Sequence, residues 1–190
     1  MSAPVQNLPL GRSDFIALRQ EGRIYADKTR MVYELCRDGD KIFVARPRRF
    51  GKSLLLSTFE SLFKYGLRDF HGLDIENLWN DSTYSVLRLD FSLAKDYSTV
   101  EDFLQRFDTL LRDAVREAGL CMSSEGTDPI GKFSALLSSL PHLSLVLLID
   151  EYAAPLTARL HDPILMPFSR SCLSSTAPSS PTKEDYGSFS

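Results

Sequence analysis

The sequence predicts an α/β protein of three layers, with helices flanking a mostly parallel sheet. Three observations lead there. Strand-like and helix-like patterns alternate along the chain. A short apolar strand runs through Gly51-Lys52-Ser53 into an amphipathic helix, and a second, wholly apolar run ends in Asp150-Glu151. At about 150 residues per domain, a chain of 190 residues holds one full domain. With 43% hydrophobic and 25% charged residues it is neither collagen-like, disordered nor a coiled coil as a whole.

The elements follow in order. Ser13 before DFIALRQEG, with Gly22 after it, marks a short helix near residues 14–20. Between Asp27 and Gly39, Met31, Val32 and Leu35 recur at helical spacing, with Asp27 and Lys28 placed either to cap that helix or to touch a ligand. KIFVA, residues 41–45, reads as a buried strand bounded by Asp40 and Arg46-Pro47. Leu55, Phe59, Leu62 and Phe63 make a helix that opens at about Ser53 and stops at Gly66. SVLRLDFS, residues 85–92, alternates Val86, Arg88 and Asp90 with Leu87, Leu89 and Phe91, a strand with one polar face. Ser98 and Glu101 form a capping box for a helix whose stripe of Phe103, Phe107, Leu110, Leu111, Ala114 and Val115 ends at Gly119. Asp128-Pro129 opens a further helix through Leu140. LSLVLLI, residues 143–149, is apolar on both faces and fits a central parallel strand. From Ser169 to Ser190 eight of 22 residues are Ser and apolar periodicity is lost, so residues 166–190 are expected to be a disordered tail to a domain over 1–165.

The strand–loop–helix around Arg46-Pro47-Arg48-Arg49-Phe50-Gly51-Lys52-Ser53 is the setting a phosphate-binding loop requires. Backbone amides curl around an anion, a lysine reaches the β- and γ-phosphates, a hydroxyl serves magnesium, and a helix N-terminus contributes its positive end. Gly51, Lys52 and Ser53 supply three of these, while Arg46 stands where the GxxxxGK[ST] pattern has its first glycine. The second half lies 98 residues beyond Lys52, where an apolar strand ends in Asp150 and Glu151. In such a pair the first carboxylate holds the magnesium shell and the second orients an attacking water. Both halves belong at the carboxyl ends of parallel strands, where ligands of open sheets bind.

Tyr25-Ala26-Asp27-Lys28-Thr29, the Arg46–Ser53 loop, Leu89-Asp90-Phe91-Ser92 and Ile149-Asp150-Glu151-Tyr152 resemble the AAA-ATPase-like family of bacterial and fungal proteins over roughly residues 8–165. Its members often carry a PD-(D/E)XK nuclease-like domain afterwards, and an arginine at the position of Arg46 is normal among them. The resemblance implies a P-loop NTPase-like α/β/α fold, ATP and Mg2+ as ligands, and ATP hydrolysis. The loop from Arg46 to Ser53 would bind nucleotide, Ser53 and Asp150 would hold magnesium, and Glu151 would be catalytic. The family's DEYD pattern has a second acid where this chain has Ala153. A sheet order of 5-1-4-3-2 also demands two strands after Asp150-Glu151 for which the sequence offers no candidate. The sheet is therefore expected to be incomplete and the chain a truncated member, with a non-catalytic nucleotide-binding or interaction module as the alternative function.

A net charge of −3, from 22 basic and 25 acidic residues, gives no general attraction to nucleic acid or anionic membranes. The expected partner is a nucleoside triphosphate, with a protein partner or self-association in reserve and nucleic acid by family analogy alone. The longest apolar run, Leu145 to Ile149, is far short of the roughly 18 residues that span a bilayer, and the N-terminus lacks a secretory signal, so an intracellular, cytoplasmic protein is expected. Cys36, Cys121 and Cys172 read as reduced structural residues, and His71, His142 and His161 lack metal-ligand spacing. Trp79 and Phe91 read as core, and Asp90 as either a strand-end turn residue or a group facing the phosphate site.

Overall fold

The computed structural model describes residues 11–38, 41–45, 47, 49–80, 82–122 and 128–157. Strands β1 (Ser85–Asp90) and β2 (Leu145–Asp150) pair in parallel, Ser85 opposite Leu145 and Asp90 opposite Asp150. Side chains alternate between faces along a strand, so the sheet divides two cores. Val86 and Leu148 join Phe15, Val32, Phe59, Leu62, Phe70 and Ile75 on one face, while Leu87 and Leu89 join Leu111, Ala114, Val115 and Leu136 on the other. The first core comes from α1 (Phe15–Gln20), α2 (Thr29–Asp38), α3 (Lys52–Tyr65) and the 3-10 turns after it, the second from α4 (Val100–Glu117) and α5 (Pro129–Ser139). Helices thus cover both faces of a small parallel sheet, an α/β arrangement. Leu87 is fully buried, and truncating it to alanine costs about 2–5 kcal/mol.

The helix ends explain their own boundaries. Asp14 rather than Ser13 caps α1, accepting from Ala17 N at 2.8 Å. The box on α4 sits one residue later than expected: Thr99 Oγ1 accepts from Asp102 N at 3.1 Å, and Asp102 Oδ2 accepts from Ser98 N at 2.8 Å. Asp128 caps α5 through Gly131 N, with Pro129 in its first turn. Gly66, at φ 63°, stops α3. Strand β1 ends at Asp90 because the Asp90 carboxylate accepts the Ser92 N–H at 2.9 Å and turns residues 91–94 into a 3-10 turn.

Two strand expectations are corrected. Residues 41–45 form no strand; Ile42 is 41% and Phe43 70% exposed, and Phe43 instead meets the Tyr152 ring edge-on at 5.4 Å. In the expected order that segment borders a fourth strand, not β2, and among the described residues no such strand stands beside it, so a ladder has no partner to form with. For the same reason β2 is paired along one edge only among the described residues, and Leu147 and Ile149 are 39% and 42% exposed rather than central. The polar face expected on β1 lies under α3, where Arg88 is paired with an acid of that helix. The serine-rich tail lies outside the described residues.

Candidate functional site

Helix α3 differs at its start from the helices capped by side chains. Gly51 takes the N-cap position at φ 72°, a left-handed conformation that glycine adopts without penalty, and its carbonyl accepts the first helical bond from Leu55 N at 2.9 Å. The turn leading in is closed by Phe50 N donating to the Pro47 carbonyl at 3.4 Å, with Arg49 also left-handed at φ 67°. Gly51 has no side chain to cap α3 and the first turn carries no acid, so neither of the usual local acceptors takes up the amides that open it. Lys52 and Ser53 stand half-buried in that first turn, while Pro47, Arg49, Phe50 and Gly51 are exposed. Arg46 and Arg48 lie outside the described residues.

At the end of β2, Asp150 is buried at 9% exposure and its Oδ1 accepts the Glu151 N–H at 3.0 Å. Glu151 is exposed and left-handed at φ 49°, a conformation costing a non-glycine residue about 1–2 kcal/mol. Its carbonyl accepts from Ala154 N at 2.8 Å, which leads into the short helix α6 (Ala154–Thr157).

The direction of α3 relates the two halves. Tyr84, just before β1, donates its N–H to the Phe63 carbonyl near the end of α3, while Arg88 further along β1 reaches Glu60 earlier in α3. Helix and strand therefore run antiparallel, and α3 opens at the end of the sheet where β2 closes. Lys52 and Ser53 thus lie toward the Asp150-Glu151 end, yet no hydrogen bond or ion pair joins the two pairs among the described residues. Also among the described residues, no group of three or more His, Cys, Asp and Glu side chains forms a metal cage. One buried carboxylate and one hydroxyl are the donors magnesium takes when phosphate oxygens and water complete its shell, so the residues present fit a phosphate-bound ion rather than a protein-caged one.

Two groups at this site escaped sequence reasoning. Arg88 Nη1 donates to Glu60 Oε2 at 2.7 Å, and its Nη2 lies 3.8 Å from Asp150 Oδ2. The signal available was an arginine inside a strand of leucines, which needs an acid from another element. In the Tyr25–Thr29 segment, Asp27 accepts from Thr29 N and Thr29 Oγ1 at the start of α2, and from Asp74 N 47 positions away. Partial burial pulls the Asp27 carboxyl upward, but those hydrogen bonds outweigh it and hold it below the usual range. Asp90 is the turn residue of β1 as well as the register neighbour of Asp150. His71 pairs with Glu76 at the surface, His142 is exposed, and His161 and Cys172 lie outside the described residues. Trp79 and Phe91 are partly buried against the two cores.

Comparison with known proteins places these features in a family. The AAA-ATPase-like family, described as "Predicted AAA-ATPase", matches residues 9–175. An uncharacterized protein in the vnfD 5′ region of Azotobacter chroococcum mcd 1 is 31% identical over 162 residues, covering 83% of this chain and 31% of the relative. The chain therefore spans less than a third of that relative's length. No solved structure matches the chain. No helix among the described residues is long and apolar enough to cross a membrane.

Proposed function

The chain belongs to the AAA-ATPase-like family, and from that premise we propose that it is a P-loop NTPase-like domain that binds ATP with Mg2+ at the start of α3. The observation that carries this reading is the first turn of α3, entered through left-handed Gly51, free of acids and carrying Lys52 and Ser53. Amides there donate to phosphate oxygens, and the helix dipole favours negative charge. Lys52 neutralises the β- and γ-phosphates, with Arg46, Arg48 and Arg49 adding positive charge along the loop. Ser53 and Asp150 would hold the magnesium, which would supply charge neutralisation to the phosphates. Glu151 accepts a proton from the attacking water if hydrolysis follows.

Binding without turnover is the second reading. Asp150 lies beside Arg88 and is joined to neither Lys52 nor Ser53, and residues 41–45 stay out of the sheet, observations that favour a nucleotide-binding or interaction module.

Titration of a fluorescent ATP analogue into the full chain with MgCl2 tests the site. Lys52→Ala is expected to abolish measurable binding; affinity equal to wild type removes the nucleotide from the start of α3.

A further inference from the structure

Arg88 sits where one cation serves two acids, Glu60 and Asp150. It points from β1 to the sheet face under α3, the face shared by Asp90 and Asp150 at the ends of their strands. Asp90 and Asp150 are direct register partners, so their backbones lie about 5 Å apart. The Asp90 carboxylate is occupied by the Ser92 N–H. The Arg88 guanidinium is unequally shared, in contact with Glu60 at 2.7 Å and looser on Asp150 at 3.8 Å. Its side chain is 33% exposed, against 26% for Glu60 and 11% for Asp150. The tight contact is with the helix that opens in Lys52-Ser53, and the loose one is with the carboxylate assigned to the metal.

We propose that Arg88 is a positioning residue that holds Asp150 in place until a divalent cation takes over its carboxylate, with Glu60 retaining the guanidinium so that Asp150 can be released. This rests on the magnesium role given to Asp150 above. A guanidinium and a divalent cation compete for the same oxygens and repel one another, so the anchor on Glu60 sets how readily the exchange occurs. The fork of the guanidinium is what allows one side chain to face two acids at once.

The two partners have opposite expected effects. Mn2+ is titrated into the full chain with a non-hydrolysable ATP analogue, and free Mn2+ is read by electron paramagnetic resonance. Glu60→Gln, which frees Arg88 to close on Asp150, is expected to weaken Mn2+ binding roughly fivefold; Arg88→Gln is expected to tighten it by a similar factor. Arg88→Lys, which keeps the charge without the fork, covers the case in which Arg88→Gln does not fold, and is expected to bind Mn2+ more weakly than Arg88→Gln and more tightly than Glu60→Gln. Equal Mn2+ midpoints in wild type, Glu60→Gln and the foldable Arg88 variants, or shifts of the same sign, overturn the exchange while leaving the nucleotide site standing. Wild-type chain that binds neither analogue nor Mn2+ overturns the nucleotide reading and this inference with it.

Discussion

The buried Thr29 hydroxyl accepts the backbone N–H of Ile75 at 3.1 Å, across 46 positions of sequence, while donating to Asp27 Oδ1 at 2.7 Å. One side chain thereby fixes the start of α2 to the 3-10 turn over Asp74–Asn77. Thr29→Val keeps the shape and leaves the Ile75 N–H buried without a partner, a loss of about 1–3 kcal/mol. Urea denaturation should show that loss, with nucleotide affinity unchanged in the folded protein. A variant as stable as wild type would show that water or a neighbour satisfies Ile75.

Asp27 carries the pH dependence of the same junction. Its folded-state carboxyl lies below the usual value near 3.9, so its stabilisation is fully present above that value and is lost as pH falls through the folded-state value. The stability gap between wild type and Asp27→Asn should therefore be widest near neutrality and narrow below about pH 4. A gap that stays constant down to pH 3 would rule the ionised carboxylate out as its source.

Glu151 combines backbone strain with the proposed chemistry. Glu151→Gln keeps the left-handed backbone and is expected to retain ATP binding while losing any hydrolysis, since an amide cannot take the water's proton. Glu151→Gly should relieve the φ 49° conformation and raise stability by up to about 1 kcal/mol, also without hydrolysis. Equal ATP turnover in wild type and both variants would end the catalytic role.

The two described cysteines should separate by reactivity. Burial pushes the Cys36 thiol up to about 11, which leaves on the order of a thousandth of it as thiolate at pH 8, whereas Cys121 is exposed. In a Cys172→Ser background, a disulfide reagent at pH 8 should modify Cys121 rapidly and Cys36 only after denaturant is added. Equal rates in the native protein would mean that the α2 face bearing Cys36 opens readily.

Local patterns were legible where the signal is local. The helix over residues 14–20, the stop at Gly66, the Asp128 cap and the runs that became β1 and β2 were all readable, because caps, glycine stops and apolar periodicity act over a few residues. The Thr99 cap was misread by one residue because Ser98 and Thr99 both offer a hydroxyl, and only the backbone decides which one meets an early amide. The Gly51-Lys52-Ser53 triplet and the Asp150-Glu151 pair were visible as motifs, as was their common end of the sheet.

What sequence alone determined is the alternation of apolar and polar positions, the residue types at the start of α3 and the end of β2, and membership in the family. Tertiary structure decided which patterns found partners. KIFVA has the composition of a strand yet forms none, since ladder hydrogen bonds come from a neighbouring strand and not from the segment itself. Arg88 reads as one polar residue of an alternating strand. Only the antiparallel passage of α3 over β1, with β2 alongside, sets it between Glu60 and Asp150, because a charge removed from water must find its counter-ions wherever the fold brings them.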